Sequence, residues 1–236
     1  QNQLASHIDE SLQQTENDVI KEIKKLRDDI KALQSDLKKE ISRIKGVLPE
    51  QIFLGNGSDE AIDLVFRAFC QPGNDNIITI KPTYGMYRVA ADINDIEVIE
   101  IGLLKDFALP VKQIIESINY KSKAIFLCSP NNPTSNLFPK NDIIEIINSF
   151  DGIVVLDEAY IDFAPGQSLL PELIKHPNLI ILQTFSKAWG LAGIRLGMAF
   201  ASKEIIEVFN KIKYPYNVNN LTANYALEAI KNNKNK

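Results

Sequence analysis

Five times along this chain an apolar run of strand length ends in a polar cluster, and after three of them the helical spacing of apolar residues follows, at Ile62 to Phe69, Asn141 to Phe150 and near Leu169 to Ile174. The runs are Gln51 to Leu54, Ile77 to Ile80, Lys123 to Cys128, Gly152 to Leu156 and Leu179 to Leu182. The clusters after them fall near Gly55, Pro82, Ser129, Asp157 and Thr184. Alternation of strand and helix calls for a mostly parallel, twisted sheet wrapped by helices on both faces, because parallel neighbours need a crossover between them. With further strands at Ile96 to Ile101 and Leu196 to Ala201, the expected fold is a three-layer α/β domain on a seven-stranded sheet. Ligands bind such sheets beyond the strands' carboxyl ends, so the five clusters can converge on one site.

A chain of 236 residues, 45% hydrophobic, is long enough for one large domain of this kind and too short for two. Its net charge of −4, with Lys and Arg scattered among acids, gives no basic stripe for nucleic acid. No apolar run reaches membrane-spanning length and the first residues lack a signal-peptide pattern. Cys70 and Cys128 follow apolar residues at element ends and read as reduced, structural thiols. A soluble, cytoplasmic protein is the expectation.

Residues from Leu4 to Leu48 have a different pattern. Leu4, Ile8, Leu12, Val19, Ile23, Leu26, Ile30, Leu33, Leu37, Ile41, Ile44 and Leu48, with Thr15 in the one gap, are spaced alternately by three and four. The mean step of about 3.67 residues describes a long amphipathic helix with a nearly straight or slightly right-handed seam. Two arrangements satisfy that stripe: a coiled coil, or a helix, broken somewhere, lying along the domain.

The stretch Asn178 to Gly197, NLIILQTFSKAWGLAGIRLG, carries the densest chemistry. Its buried strand surfaces at Thr184, Ser186 and Lys187, and Arg195 follows eight residues after the lysine. Arg195 offers a planar, permanently charged fork for a dianion, the hydroxyls add hydrogen bonds, and Lys187 can form an imine with an aldehyde. Pyridoxal phosphate carries both groups. Asp157 stands at the mouth of the apolar strand Gly152 to Leu156, where a buried carboxylate calls for a cationic partner such as a protonated pyridine nitrogen. The turn at Gly55, Asn56, Gly57 and Ser58 opens a helix; it presents free N–H groups to a phosphate, or is a simple helix start with Ser58 as N-cap. Tyr84, at a strand exit, either covers a flat ring or packs in the core. The rigid turn from Ser129 to Thr134 sets an asparagine amide at the sheet's edge.

From about Leu37 onward the chain resembles the large domain of fold type I pyridoxal-phosphate aminotransferases, in the subfamily of histidinol-phosphate aminotransferases. The stretches FLGNGSDEAIDL, PTYGMY, SPNNPT, DEAYIDF and QTFSKAWGLAGIRLG carry the resemblance. It implies that Lys187 holds the cofactor and moves the substrate's proton, and that Asp157 pairs with the ring nitrogen. Tyr160 and Asn132 would hydrogen-bond the ring's phenolic oxygen and Tyr84 would stack on the ring. The backbone at Ser58 and Asp59, with Thr184, Ser186 and Arg195, would receive the phosphate. The Asp59 carboxylate is expected to point away.

The implied reaction is amino exchange between L-histidinol phosphate and 2-oxoglutarate, with small amino and keto acids as partners and a homodimer as the assembly. A decarboxylase of the same fold is the alternative enzyme, and a cofactor-binding domain assembling through its N-terminal helix the alternative from another class. Residues 1–36 are expected to be a separate helical segment and 37–236 the large domain. Ser135 stands where the family's turn has glycine, a position that prefers positive φ. The family's N-terminal arm and small domain have no counterpart in this sequence, so weak turnover is expected.

Overall fold

The structure, a computed structural model, describes residues 2–232, with side chains from residue 10. Helix α1 (Asn2–Lys45) leads through a 3-10 turn at Pro49–Gln51 into β1 (Ile52–Asn56) and α2 (Gly57–Phe69). There follow β2 (Asn76–Lys81), α3 (Met86–Ile93), β3 (Glu97–Gly102), α4 (Val111–Glu116), β4 (Ser122–Cys128), α5 (Lys140–Asn148) and β5 (Ile153–Asp157). The chain closes with β6 (Leu179–Thr184), β7 (Leu196–Phe200), α6 (Lys203–Ile212) and α7 (Asn220–Asn232).

The seven strands form one sheet in the order β1-β7-β6-β5-β4-β2-β3. Every pairing from β6 to β3 is parallel, whereas β7 runs antiparallel to both of its neighbours. Alternate residues of each strand serve opposite faces, as strand geometry demands. On one face Ile125 and Leu127 of β4 join a core that includes Leu37 and Ile41 of α1, Ile146 of α5 and Ile230 of α7. On the other, Ala124, Phe126 and Cys128 meet Ile62 and Phe66 of α2, Tyr87 of α3 and Phe209 of α6. The three-layer, mostly parallel arrangement is therefore the one expected.

Four readings need correction. The segment at Leu169 to Ile174 holds only a 3-10 turn, Leu170–Glu172, and Gln51 belongs to a turn and not to β1. Helix α3 was not expected: its eight residues are too short for a clear helical period, although Tyr87, Ala90 and Ala91 share its buried face. Helix α1 is unbroken to Lys45, where Gly46, at φ 70, lets its N–H bond the Ser42 carbonyl at 2.9 Å. Its last turns lie along the domain, with Leu37 and Ile41 fully buried and Gln34 Nε2 donating to the Val218 carbonyl at 3.0 Å. Residues 10–29 are exposed, the apolar residues among them included. The sequence KNNKNK reads as a frayed tail or an abrupt end to the last helix; Lys231 and Asn232 close α7, and the rest lies outside the described residues.

Among the described residues no helix is long and apolar enough to cross a membrane. Cys70 and Cys128 are free, half-buried and buried respectively, and burial pushes both thiols upward, Cys70 to about 12, which keeps them unreactive.

Candidate active site

Sheet direction decides what meets at the carboxyl edge. Strands β1, β2, β4, β5 and β6 end there, and the reversed strand β7 begins there, so Arg195, just before β7, joins residues that follow the others. A cleft of about 210 Å³ lies at this edge. All ten expected site residues line it: Ser58 and Asp59 after β1, Tyr84 after β2, Asn132 after β4, Asp157 and Tyr160 at the end of β5, Thr184, Ser186 and Lys187 after β6, and Arg195. Gly57, Cys128 and Ala159 complete the wall.

One end of the cleft is built for an anion. Gly57, at φ 73, lets the chain turn from β1 into α2, and its N–H donates to the Arg195 carbonyl at 2.9 Å. The Glu60 carboxylate accepts from Asn56 N at 2.6 Å and secures the turn, so the helix start rests on Asn56 and Glu60, with Ser58 already inside the first turn. This leaves first-turn N–H groups and the positive end of a 13-residue helix facing the cleft. Arg195, held in the left-handed region at φ 55, extends its guanidinium over the same spot. Thr184 Oγ1 accepts from Ser186 N at 3.1 Å, lies 3.0 Å from Ser186 Oγ and donates to the Leu196 carbonyl at 3.2 Å, so the two hydroxyls are clustered.

The close approach of two backbones makes this end possible. A Cβ on Gly197 would stand 2.1 Å from Gly57 C and 2.2 Å from Ser58 N, both backbone atoms that cannot swing aside. Gly197→Ala should therefore destabilise the chain by about 3 kcal/mol in urea unfolding and lower its affinity for phosphate esters together. A variant of unchanged stability would contradict this account of the turn.

The Asp59 carboxylate does not point away, contrary to expectation. Its Oδ1 accepts from Tyr84 Oη at 3.1 Å and its Oδ2 lies 3.7 Å from Arg195 Nη2, so it is the anion nearest the guanidinium. Attraction to Arg195 and a phenol donor outweighs the preference of a first-turn acid for solvent. Burial, then the Asp59 charge, pushes the Tyr84 phenol up to about 12, so Tyr84 stays a donor.

At the far end sits Asp157, only 2% exposed. Its Oδ2 accepts from Tyr87 Oη at 2.7 Å and its Oδ1 from Ala159 N at 3.0 Å. Both donors are neutral, and no side-chain ion pair holds this acid among the described residues; the expected cation is not a side chain. Burial pushes its carboxyl up to about 6, against the pull of Tyr87, Ala159 and Lys187. Lys187 Nζ lies over the Tyr160 ring, 5.1 Å from its centre.

Tyr87 is the contributor that sequence reasoning missed. It is fully buried, stacks on Phe126 at 5.1 Å and meets Tyr84 edge-on at 5.6 Å, so one residue braces both Asp157 and the Tyr84 wall. Its signal was its place three residues after Tyr84 in PTYGMY, on a helix that went unseen. Glu158 was also missed: buried, it accepts from Ser168 Oγ at 2.6 Å, Leu169 N at 2.8 Å and Gln183 Nε2 at 2.8 Å, anchoring the backbone between Asp157 and Tyr160. Asn131 does the same for Asn132. It donates to the Pro82 carbonyl at 3.0 Å and accepts from Thr83 Oγ1 at 2.9 Å, tying the Tyr84 loop to the Asn132 loop.

Ser135 has φ 61, the conformation expected at that turn. The left-handed region costs a non-glycine residue about 1–2 kcal/mol, partly offset by the larger unfolded-state entropy of glycine. Ser135→Gly should thus raise the unfolding free energy by about 0.5–1 kcal/mol, read as a higher urea midpoint at unchanged slope.

A family model described as aminotransferase class I and II matches residues 5–236. The chain belongs to that family. Over 198 residues this aminotransferase chain is 61% identical to histidinol-phosphate aminotransferase from Bacteroides fragilis (strain YCH46), a match covering 84% of this chain and 57% of that protein. It is 56% identical over 200 residues to the Cytophaga hutchinsonii protein of the same name, covering 85% and 58%. The chain thus spans little more than half the length of these curated relatives. A crystal structure of histidinol-phosphate aminotransferase from Sinorhizobium meliloti in complex with pyridoxal-5'-phosphate superposes with a TM-score of 0.80 at 24% identity, covering 86% of the aminotransferase chain and 56% of that one. That likeness bears on the fold.

Proposed function

We propose that this chain is the large, cofactor-binding part of a pyridoxal-phosphate-dependent aminotransferase that exchanges an amino group between L-histidinol phosphate and 2-oxoglutarate. The observation that carries the reading is the pairing of opposite ends in one cleft: an anion cradle around Arg195, a buried acid without a cation at Asp157, and a lone amine, Lys187, on the wall beside them. A phosphorylated, protonated pyridine with an aldehyde matches all three. High identity to relatives named histidinol-phosphate aminotransferase favours amino transfer over the decarboxylation that the same fold supports.

When bound, pyridoxal phosphate supplies an aldehyde that takes up the amino group and a ring that spreads the charge left on the substrate carbon. The residues of the chain do the rest. Arg195, Thr184, Ser186 and the N–H groups of Ser58 and Asp59 would hold the phosphate, and Arg195 would exchange its contact with Asp59 for it. Asp157, charged at neutral pH, would keep the ring nitrogen protonated, with Tyr87 fixing the carboxylate's direction. Tyr160 and Asn132 would bond the ring's phenolic oxygen, and Tyr84 would cover the ring. Lys187 Nζ would hold the group through its aldehyde and, once the incoming amino group has displaced it from that carbon, its freed amine would accept the proton from the carbon that bears the amino group.

The division into a helical segment, 1–36, and a large domain, 37–236, belongs to the same reading. So do small amino and keto acids as substrates, a homodimer and a cytoplasmic location, which rest on the family resemblance. Titrating the cofactor-loaded chain with glutamate or L-histidinol phosphate tests the function. Conversion of the cofactor's visible band to that of its amine form is the expected result; an unchanged band with both donors, in a chain that holds the cofactor through Lys187, would exclude transamination.

A further inference from the structure

The stripe of α1 that enters the core at Leu33 and Leu37 does not stop there. Toward the N-terminus it continues through Ile30, Leu26, Ile23, Val19 and Leu12, and four of these side chains are at least half exposed: Leu12 63%, Val19 52%, Ile23 50% and Leu26 51%. From Val19 the steps of four, three, four and three, then four more to Leu37, keep a heptad register that lets one helix face pack on another, and seven residues back Leu12 rejoins it with Glu16 at the seam position between. A helix projecting about 35 Å from Glu10 to Ala32 with such a face bare to water is an unfinished interface.

Charge along the same stretch identifies what completes it. Residues 10–18 hold Glu10, Glu16 and Asp18 and no basic residue, whereas residues 21–31 hold Lys21, Lys24, Lys25, Arg27 and Lys31 against Glu22, Asp28 and Asp29. Two copies laid parallel would set the acidic ends side by side and the basic ends side by side. Two laid antiparallel about Lys21 set each acidic end on a basic one. In that register Leu12 faces Ile30 of the other copy, Val19 faces Ile23 and Asp18 faces Lys24, while Leu26 faces Glu16, whose carboxylate lies between Lys25 and Arg27. We infer that residues 10–32 of α1 pair with the same residues of a second copy of this chain as an antiparallel two-helix coiled coil. The pairing is independent of the chemistry in the cleft, and of any contact between the large domains.

Interchain disulfides in the full chain test it directly. Chains carrying Leu12→Cys are mixed with chains carrying Ile30→Cys, oxidised mildly, and the linked peptides mapped by mass spectrometry. The expected result is a dominant 12–30 link, falling at least tenfold when Ile23→Glu is added to both chains. That substitution lies on a half-exposed site away from the core, and an unchanged Trp189 emission would show the domain still folded. A dominant 12–12 link means a parallel pair, and no interchain link at any protein concentration means that the face is covered in some other way; either overturns the inference.

Discussion

Asparagine at position 157 is expected to make the ligand-free chain more stable at neutral pH while ending its use of pyridoxal phosphate. The native carboxyl is lifted to about 6 by burial, above its ordinary 3.8, and its two hydrogen-bond donors are neutral. A folded value above the unfolded one means that the native state binds the extra proton between about pH 4 and 6. Stability therefore falls as pH rises through that window, and above it the ionised acid costs the fold about 3 kcal/mol. An amide carries no charge; its oxygen can keep the bond from Ala159 N, while its NH2 takes the place of Oδ2 and donates to the Tyr87 oxygen, reversing that bond. Urea unfolding of both chains at pH 4.5 and 7.5 isolates the effect, because burial of Glu158 raises its carboxyl in both. The variant should lead by about 3 kcal/mol at the higher pH and by little at the lower; a variant weaker than the parent at pH 7.5 would refute the desolvation argument. Saturating cofactor should reverse the order, since a pyridinium partner stabilises only the acid.

Lys187→Ala should lower amino transfer by about a thousandfold or more, since it removes both the nucleophile and the base, and positioned proton transfer alone is worth about 10²–10⁴. The lysine lines the cleft, and its amine lies over the Tyr160 ring and makes none of the anion cradle's hydrogen bonds. Phosphate-ester affinity should then stay within a few-fold of the parent while the lysine-dependent visible band disappears. Lys187→Arg keeps the charge and loses the amine, and should match the alanine variant in rate. A residual rate within tenfold for either would remove Lys187 from the chemistry.

The site was legible where strand ends announce themselves. Thr184, Ser186 and Lys187 follow an unbroken apolar run, and Asp157 ends another, so burial forced them to the carboxyl edge, and the reversed β7 brought Arg195 there. What stayed hidden is what depends on direction rather than position. Asp59 was placed correctly and turned the wrong way, because spacing does not reveal that Tyr84 and Arg195 both offer it a donor. Tyr87 escaped for a related reason: α3 is only about two turns long with β-branched and small residues, and the hydrogen bond of Tyr87 spans 70 positions of chain. The bend at Ser135 was readable from the family resemblance, whose turn has glycine at that position, and not from spacing.

The pairing of β1 with β7 bears on how such a chain is born. Ile52 must wait for Phe200, and Asn217 then locks Leu54 through a 2.7 Å bond across 163 positions, so the phosphate cradle closes only when synthesis of the domain is nearly done. Until that moment the nascent β1 offers an unpaired edge, and a ribosome that stalls before residue 196 leaves a chain with most of a sheet and an unbraced cleft.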